Sequence, residues 1–258
     1  MVGSLLARGL LAGLLAGLLA FGFASAFGEP QINRAIAFEN HRIEQQLHRV
    51  DPNAHTAPRP VSRSVQRTFG LALGTVIYGV GFGGIFALVF AGMFGRVGRA
   101  DPRRLAALLA LAGFIVVILV PFLKYPANPP SVGSLDSIGR RTELYLVMIA
   151  ISIASAVTAL RLHRAASKRF DSWGAGLVAA AAFVAIAIVA ELAMPSVNEV
   201  SPGFSATVLW RFRIASLGTQ LTMWATIGLG FGFLAQRLLL PRAAARAQTD
   251  PTSAHASV

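Results

Sequence analysis

The chain has no cysteine and few charged side chains for its length. Of its 258 residues, 13% are charged and 55% are hydrophobic, whereas a soluble globular domain typically carries about 25% charged residues. The absence of cysteine excludes disulfide bonds, zinc fingers, iron–sulfur ligation and thiol catalysis. The sequence also lacks a GxSxG motif and a Walker A loop. We therefore expect no enzymatic activity and no fold of the ordinary soluble kind.

The apolar residues occur in long blocks. A membrane-spanning helix needs about 20 mostly apolar residues, and we predict an all-α, polytopic transmembrane bundle of about six spans. The predicted spans are residues 9–27, 69–94, 105–123, 144–162, 174–194 and 214–234. They form a single transmembrane domain over residues 1–241, with a loop at 28–68. The small, polar tail at 242–258 is predicted to be disordered.

The basic residues predict the orientation of the bundle. Net charge is +12, from 23 Lys and Arg against 11 Asp and Glu. Arginines are dense in the loops after the second and fourth spans and in the tail, and cytoplasmic loops are enriched in basic residues. We therefore place both termini in the cytoplasm and the loop 28–68 outside it. The basic residues form no aromatic-interleaved patch outside the membrane, so nucleic acid is not a predicted partner.

The first span has an alternative interpretation. Arg8 precedes the apolar run, and Ala24-Ser25-Ala26 is similar to the A-x-A site at which a secretory signal is cleaved. The run continues past this site through Phe27, which favours a retained span. The orientation of the other five spans is the same in both cases.

An amphipathic helix is predicted within the first loop. It begins at Glu29-Pro30, and apolar residues then recur at helical spacing. The apolar stripe consists of Ile32, Ile36, Ile43, Leu47 and Val50. His41, Glu44 and His48 lie on the opposite face, and imidazole with carboxylate suits a divalent transition metal. We take these three as candidate metal ligands; the alternative is a solvated polar face.

Two carboxylates near the fifth span are further metal candidates. Glu191 lies within the apolar run, where an acidic side chain is a functional candidate by default. Glu199 follows in a loop bounded by Pro195 and Pro202. The alternative for Glu191 is an interfacial ion pair with a basic neighbour such as Arg211 or Arg213.

A polar route through the bundle is the last candidate feature. Its predicted members are Tyr125, Asn128, Asn198 and Gln220. Gln220 is accompanied by hydroxyl residues in the sixth span, for which interhelical hydrogen bonding is the alternative. Glycines spaced by four residues form ridges in the first two spans. We expect these ridges to pack the bundle internally, because small residues let membrane helices approach closely.

Several sequence blocks are similar to a known family. These blocks are Gly28-Glu29-Pro30, Val61-Ser62-Arg63, Gln66 to Leu71, Tyr125 to Pro130, Asn198-Glu199-Val200 and Trp210 to Arg213. In them the chain resembles CbtA, the family of probable cobalt transporter subunits, and Tyr-Pro-Ala-Asn-Pro-Pro is the most specific block.

The resemblance implies a bacterial inner-membrane subunit that takes up cobalt for cobalamin synthesis. It also implies a small partner with one span, similar to CbtB. Cobalt or nickel would be the substrate, and no permanently bound cofactor is expected. The alternative function is a non-transporting membrane scaffold that binds a small membrane partner through its glycine ridges.

Overall fold

The computed structural model of the chain describes residues 1–50, 62–96, 101–130, 132–133 and 135–249, and every regular element in these ranges is helical. The α-helices are α1 (Val2–Phe23), α2 (Glu29–Val50), α3 (Arg63–Val65), α4 (Leu71–Met93), α5 (Pro102–Gly113), α6 (Val120–Lys124), α7 (Leu135–Ala166), α8 (Ser172–Ala193) and α9 (Ala206–Thr249). Three π-helical turns occupy Ala24–Gly28, Gln66–Gly70 and Phe114–Leu119. A helix satisfies its own backbone polar groups, as a lipid environment requires. The predicted all-α class is confirmed.

Five of the described helices are long and apolar enough to cross a membrane. They are Val2–Arg49, Arg63–Met93, Pro102–Lys124, Ile138–Ala166 and Ser172–Ala193. They contain the first five predicted spans nearly completely. The sixth predicted span, residues 214–234, is helical within α9 but does not belong to these five. Gln220 and the hydroxyl residues beside it lower the hydropathy of that stretch, so the predicted count of six is approximate.

The predicted amphipathic helix of the first loop is α2, and it begins at Glu29 as expected. Its first turns are the packed part, since Ala35 is fully buried and Phe38 contacts Phe204 edge to face with ring centroids 5.2 Å apart. Ile43, a member of the predicted apolar stripe, is exposed. Ala35 and Phe38 do not belong to this stripe, whose members Ile32, Ile36 and Leu47 are half-buried. Docking of the stripe on the membrane surface or the bundle stays a prediction. Residues 51–61 of the predicted loop lie outside the described residues.

The C-terminal end of α9 differs from expectation. The helix continues to Thr249, past Arg242, where we expected a disordered tail to begin. Alanine, arginine and glutamine dominate this stretch, and all three favour helix. The predicted disorder of residues 242–249 is corrected accordingly, and residues 250–258 lie outside the described residues.

The chain divides into two compact units. The first consists of Met1–Phe23, Arg63–Ala112 and Thr219–Val258. The second consists of Ala24–Ser62 and Gly113–Gly218.

Close contact between α1 and α4 is the main packing feature of the first unit. A Cβ atom at Gly79 would lie 2.5 Å from the carbonyl oxygen of Gly13, and a Cβ atom at Gly17 would lie 2.6 Å from that of Thr75. Cβ atoms at Gly13 and Gly83 would likewise overlap backbone of the facing helix. The helices meet backbone to backbone, so the ridges formed by Gly9, Gly13 and Gly17 and by Gly79 and Gly83 serve internal packing as predicted. A Cβ atom at Gly74 would meet no atom within 4 Å, so the ridge of Gly70 and Gly74 is not part of this contact.

The second unit has its own apolar core. Val120, Tyr125, Met148, Ala187 and Ala190 are buried together there. These residues come from α6 through α8 and the segment after α6. That segment, residues 125–130, therefore extends directly from the core of the unit.

Candidate functional site

The non-helical segment Tyr125 to Pro130, here called the cap, is fastened to the end of α8 in the second unit, together with Lys124 at the end of α6. Lys124 Nζ donates a hydrogen bond to the Glu191 backbone oxygen at 2.5 Å. The Tyr125 hydroxyl donates to the backbone oxygen of Pro195 at 2.8 Å. Prolines remove backbone donors from the cap and prevent a regular helix, so side chains supply the hydrogen bonds that hold it in place.

Two arginines hold the cap from the helices that follow it. Arg141, in α7, donates from Nη2 to the backbone oxygen of Pro126. Arg213, in α9, donates from Nη2 to Asn128 Oδ1 at 3.0 Å and from Nε to the Ala127 backbone oxygen at 3.4 Å. Each guanidinium thus bonds to backbone or amide oxygens of the cap, a use that suits its planar fork of donors.

Glu199 joins the cap through Arg141. Its Oε2 lies 3.1 Å from Arg141 Nη1, and its side chain is only 4% exposed. A Cβ atom at Gly133 would lie 3.1 Å from Oε2, and Gly133 has φ +123°, which disfavours any residue with a side chain. Glycine at this position therefore makes room for the carboxylate. The other oxygen, Oε1, is buried and has no hydrogen-bond partner in the described part of the chain.

Glu191 is the second carboxylate of this unit with an unused oxygen. Its Oε1 is buried and accepts no hydrogen bond from the described residues. The ion pair with Arg213 that we considered as an alternative is absent from the described contacts of that arginine, which bonds to Ala127 and Asn128 instead. Glu191 and Glu199 therefore each present a buried oxygen able to accept a cation.

Tyr125 is buried and electrostatically coupled to its surroundings. Burial and, second, the negative charge of Glu191 raise the pKa of its hydroxyl above the ordinary value of 10.0, and Arg140 partly opposes the shift. The neutral hydroxyl that donates to Pro195 is therefore the favoured form.

Replacing Tyr125 by phenylalanine tests this role. We expect a loss of about 1 kcal/mol from the missing hydrogen bond near neutral pH. The unfolded tyrosine ionises at about pH 10 and the folded one only at higher pH, so wild-type stability is present below pH 10 and falls as the pH rises above it. Melting curves from pH 7 to 11 should show a fall in the melting temperature of the wild type above pH 10 that the variant lacks. An identical pH profile in both proteins argues against a buried hydroxyl.

The other predicted metal ligands lie elsewhere on the second unit. His41, Glu44 and His48 are exposed on α2. Within the described ranges no three His, Asp or Glu side chains are close enough together to hold one metal ion. A complete ligand set in this region would therefore need backbone oxygens, water or another chain.

The predicted polar route has members in both units. Tyr125, Asn128 and Asn198 belong to the second unit, where Asn198 Oδ1 accepts from the Val200 backbone at 3.4 Å. Gln220 belongs to the first, where its side chain hydrogen-bonds to Tyr78 and its Oε1 is buried without a partner in the described residues. Tyr125 donates to Pro195 and Asn128 accepts from Arg213, so their visible role is to position the cap.

Arg141 and Lys124 are the important residues that sequence reasoning did not select. In the sequence both lie between the third and fourth predicted spans, on the side where we expect few basic residues. Basic residues where few are expected were the sequence feature that could have identified them. Their partners are remote in sequence, since Arg141 and Glu199 are 58 positions apart.

The helices and the buried polar groups together define a multi-pass membrane protein. The model of the family CbtA, described as "Probable cobalt transporter subunit", matches residues 2–236, nearly the whole chain. The chain therefore belongs to the CbtA family and is a membrane subunit of a probable cobalt transporter. No curated protein and no solved structure matches it.

Proposed function

We propose that the second unit admits a divalent cobalt ion by way of Glu191 and Glu199. The observation that carries this proposal is the buried, unpartnered oxygen on each carboxylate. A buried carboxylate oxygen without a partner is costly in a low-dielectric setting, and a cation offsets that cost. The description of the family as a probable cobalt transporter subunit supports cobalt as the ion.

The cap supplies the surroundings for this step. Irregular backbone at membrane depth is tolerated where it is buried in protein or lines a cavity, and it exposes carbonyl oxygens. Cobalt accepts both oxygen and nitrogen ligands, so carboxylates, carbonyls and water form an acceptable set. His41, Glu44 and His48, exposed on α2, would gather the ion before it reaches the carboxylates.

An uptake assay tests the carboxylates. We expect Glu191→Gln and Glu199→Gln each to lower cobalt uptake about tenfold. This factor corresponds to a loss of about 1.4 kcal/mol in the free energy of ion binding. His41→Ala should act mildly and only at low metal concentration. Uptake would be measured in a strain lacking the native protein, with each variant at matched membrane abundance.

Glu143→Gln is the matched control for this assay, because Glu143 is an exposed carboxylate of α7 in the same unit. It should take up cobalt at the wild-type rate. Wild-type rates for both Glu191→Gln and Glu199→Gln at every metal concentration would mean that these carboxylates are structural.

We also propose which membrane holds the protein and how the protein is oriented in it. We place the protein in the bacterial inner membrane with both termini in the cytoplasm, in support of cobalamin synthesis. The arginines after α4 and α7 support this orientation. Reporter fusions at the C-terminus and in the loop 28–68 should report cytoplasm and periplasm respectively. A periplasmic C-terminus contradicts the orientation.

The family description "subunit" implies a partner, and we propose a small single-span protein similar to CbtB. A scaffold without transport activity is the competing function, and it would bind this partner through glycine ridges. Gly13, Gly17, Gly79 and Gly83 are occupied by the contact between α1 and α4, whereas a Cβ at Gly74 would meet no atom within 4 Å. Cobalt uptake into proteoliposomes, with and without the partner, separates the two functions.

A further inference from the structure

One end of the first unit holds two arginines against a single phenylalanine. The guanidinium carbon of Arg237 lies 4.1 Å from the centroid of the Phe233 ring, and that of Arg103 lies 5.3 Å from it. Each cation is attracted to the ring quadrupole. Both guanidinium groups carry a positive charge and share one ring, so the arrangement favours an anion beside them.

Close packing of α5 on α9 creates this arrangement. A Cβ atom at Gly232 would lie 3.2 Å from Ala106 Cβ and 3.3 Å from Arg103 Cα. Because Gly232 has no side chain, the first turn of α5 approaches the α9 backbone directly. Arg103 is thereby held beside Phe233, and Arg237 reaches the same ring from one helical turn further along α9.

The nearby acid forms no ion pair with either arginine. Asp101 Oδ2 accepts from the Arg104 backbone nitrogen at 3.3 Å, at the N-terminus of α5, and Asp101 Oδ1 accepts from Gln236 Nε2 at 3.3 Å. Both carboxylate oxygens thus have neutral donors. Neither Arg103 nor Arg237 forms an ion pair with a carboxylate in the part of the chain that the structure describes.

The surface beside the arginines is apolar. Phe233 is 40% exposed, and Leu229, one helical turn before it on α9, is 69% exposed. In a membrane protein such residues face lipid tails, while arginines at helix ends reach the headgroup region. The surface therefore combines a lipid-facing apolar part with two unneutralised guanidinium groups at its end.

We propose that Arg103, Arg237 and the Phe233 between them bind the phosphate of an anionic phospholipid. Guanidinium groups bind phosphate oxygens through paired, charge-assisted hydrogen bonds. The lipid tails would cover the exposed Leu229 of α9. This inference is independent of the cobalt route, which we place in the second unit.

Lipid binding by the purified full-length protein tests the proposal. The protein in neutral detergent would be titrated with phosphatidylglycerol or phosphatidylcholine, and bound lipid counted by native mass spectrometry. We expect one retained phosphatidylglycerol. Arg103→Gln and Arg237→Gln should each weaken its binding about fivefold, and the double variant about 25-fold. Arg237→Lys keeps the charge and should weaken binding less than Arg237→Gln.

Two controls make the result specific. Arg164→Gln removes one positive charge from an exposed position of the second unit and should leave lipid binding unchanged. A large excess of inorganic phosphate should not displace the lipid if the tails contribute. Wild-type lipid binding by the double variant, an equal loss in Arg164→Gln, equal retention of phosphatidylcholine or full displacement by phosphate would each overturn the proposal. Melting temperatures of all variants identify any that fail to fold.

Discussion

Alanine in place of Gly13 is expected to destabilise the first unit strongly. The new Cβ would overlap the Gly79 carbonyl oxygen and crowd the backbone of Val80. Backbone cannot rotate away as a flexible side chain can, so α1 and α4 must separate along their length. We expect a loss of about 3 kcal/mol, the upper end of the usual overpacking cost, visible as a lower melting temperature and a smaller folded yield.

Gly79→Ala and Gly83→Ala should behave in the same way, because their Cβ atoms would overlap the backbone of Gly13 and Gly9. Gly81→Ala and Gly74→Ala are the matched controls in the same helix, and neither Cβ would meet an atom within 4 Å. Alanine is the better helix former by about 1 kcal/mol, so these controls should be neutral or slightly stabilising. Equal melting temperatures for all five variants would refute a backbone contact between α1 and α4.

The glycine contact also bears on the first span. Gly9, Gly13 and Gly17 all lie in α1, before the Ala24-Ser25-Ala26 sequence at which a secretory signal would be cleaved. Removal of the segment would expose the facing surface of α4. The contact between α1 and α4 therefore favours retention of the span, as we expect. N-terminal sequencing of the purified protein decides the matter.

The glycine spacing and the long apolar blocks allowed much of the fold to be predicted. Both are local patterns, and a helix in lipid has few alternatives. The sixth span was harder, because Gln220 and its neighbouring hydroxyl residues reduce the hydropathy on which the prediction depends. The C-terminal end of α9 was missed since a polar composition was interpreted as disorder although its residues favour helix.

The contacts of the candidate site were less predictable. Residues 125–130 lie outside the helices, and no local sequence pattern indicates which remote side chains hold them. The arginines that do so lie in α7 and α9, and Arg213 is 85 positions from Asn128. Pairings of this kind depend on how helices pack, and the spacing of residues in one sequence does not report it.

Loss of Arg141 is expected to have the second large effect. Its guanidinium bonds to the Pro126 backbone oxygen and to Glu199, whose side chain is 4% exposed. In Arg141→Met, Glu199 becomes a buried charge without its partner, and removing one partner of a buried pair typically costs about 3–5 kcal/mol. The cap also loses a donor that its prolines cannot replace. We expect a lower melting temperature and faster proteolysis within residues 124–130.

A double-mutant cycle separates the ion pair from the rest of the cap. Glu199→Gln keeps the shape of the side chain but removes its charge, so Arg141→Met combined with Glu199→Gln should be more stable than Arg141→Met alone. The Pro126 contact is still missing in the double variant, so recovery should be incomplete. Arg140→Met, at the exposed neighbouring position, is the control and should melt like the wild type.

If Arg141→Met is no less stable than Arg140→Met, the cap is held by Lys124, Tyr125 and Arg213 alone. A strong effect of Arg141→Met with no recovery in the double variant would instead assign the stability to the Pro126 contact, because the buried charge of Glu199 would then cost little.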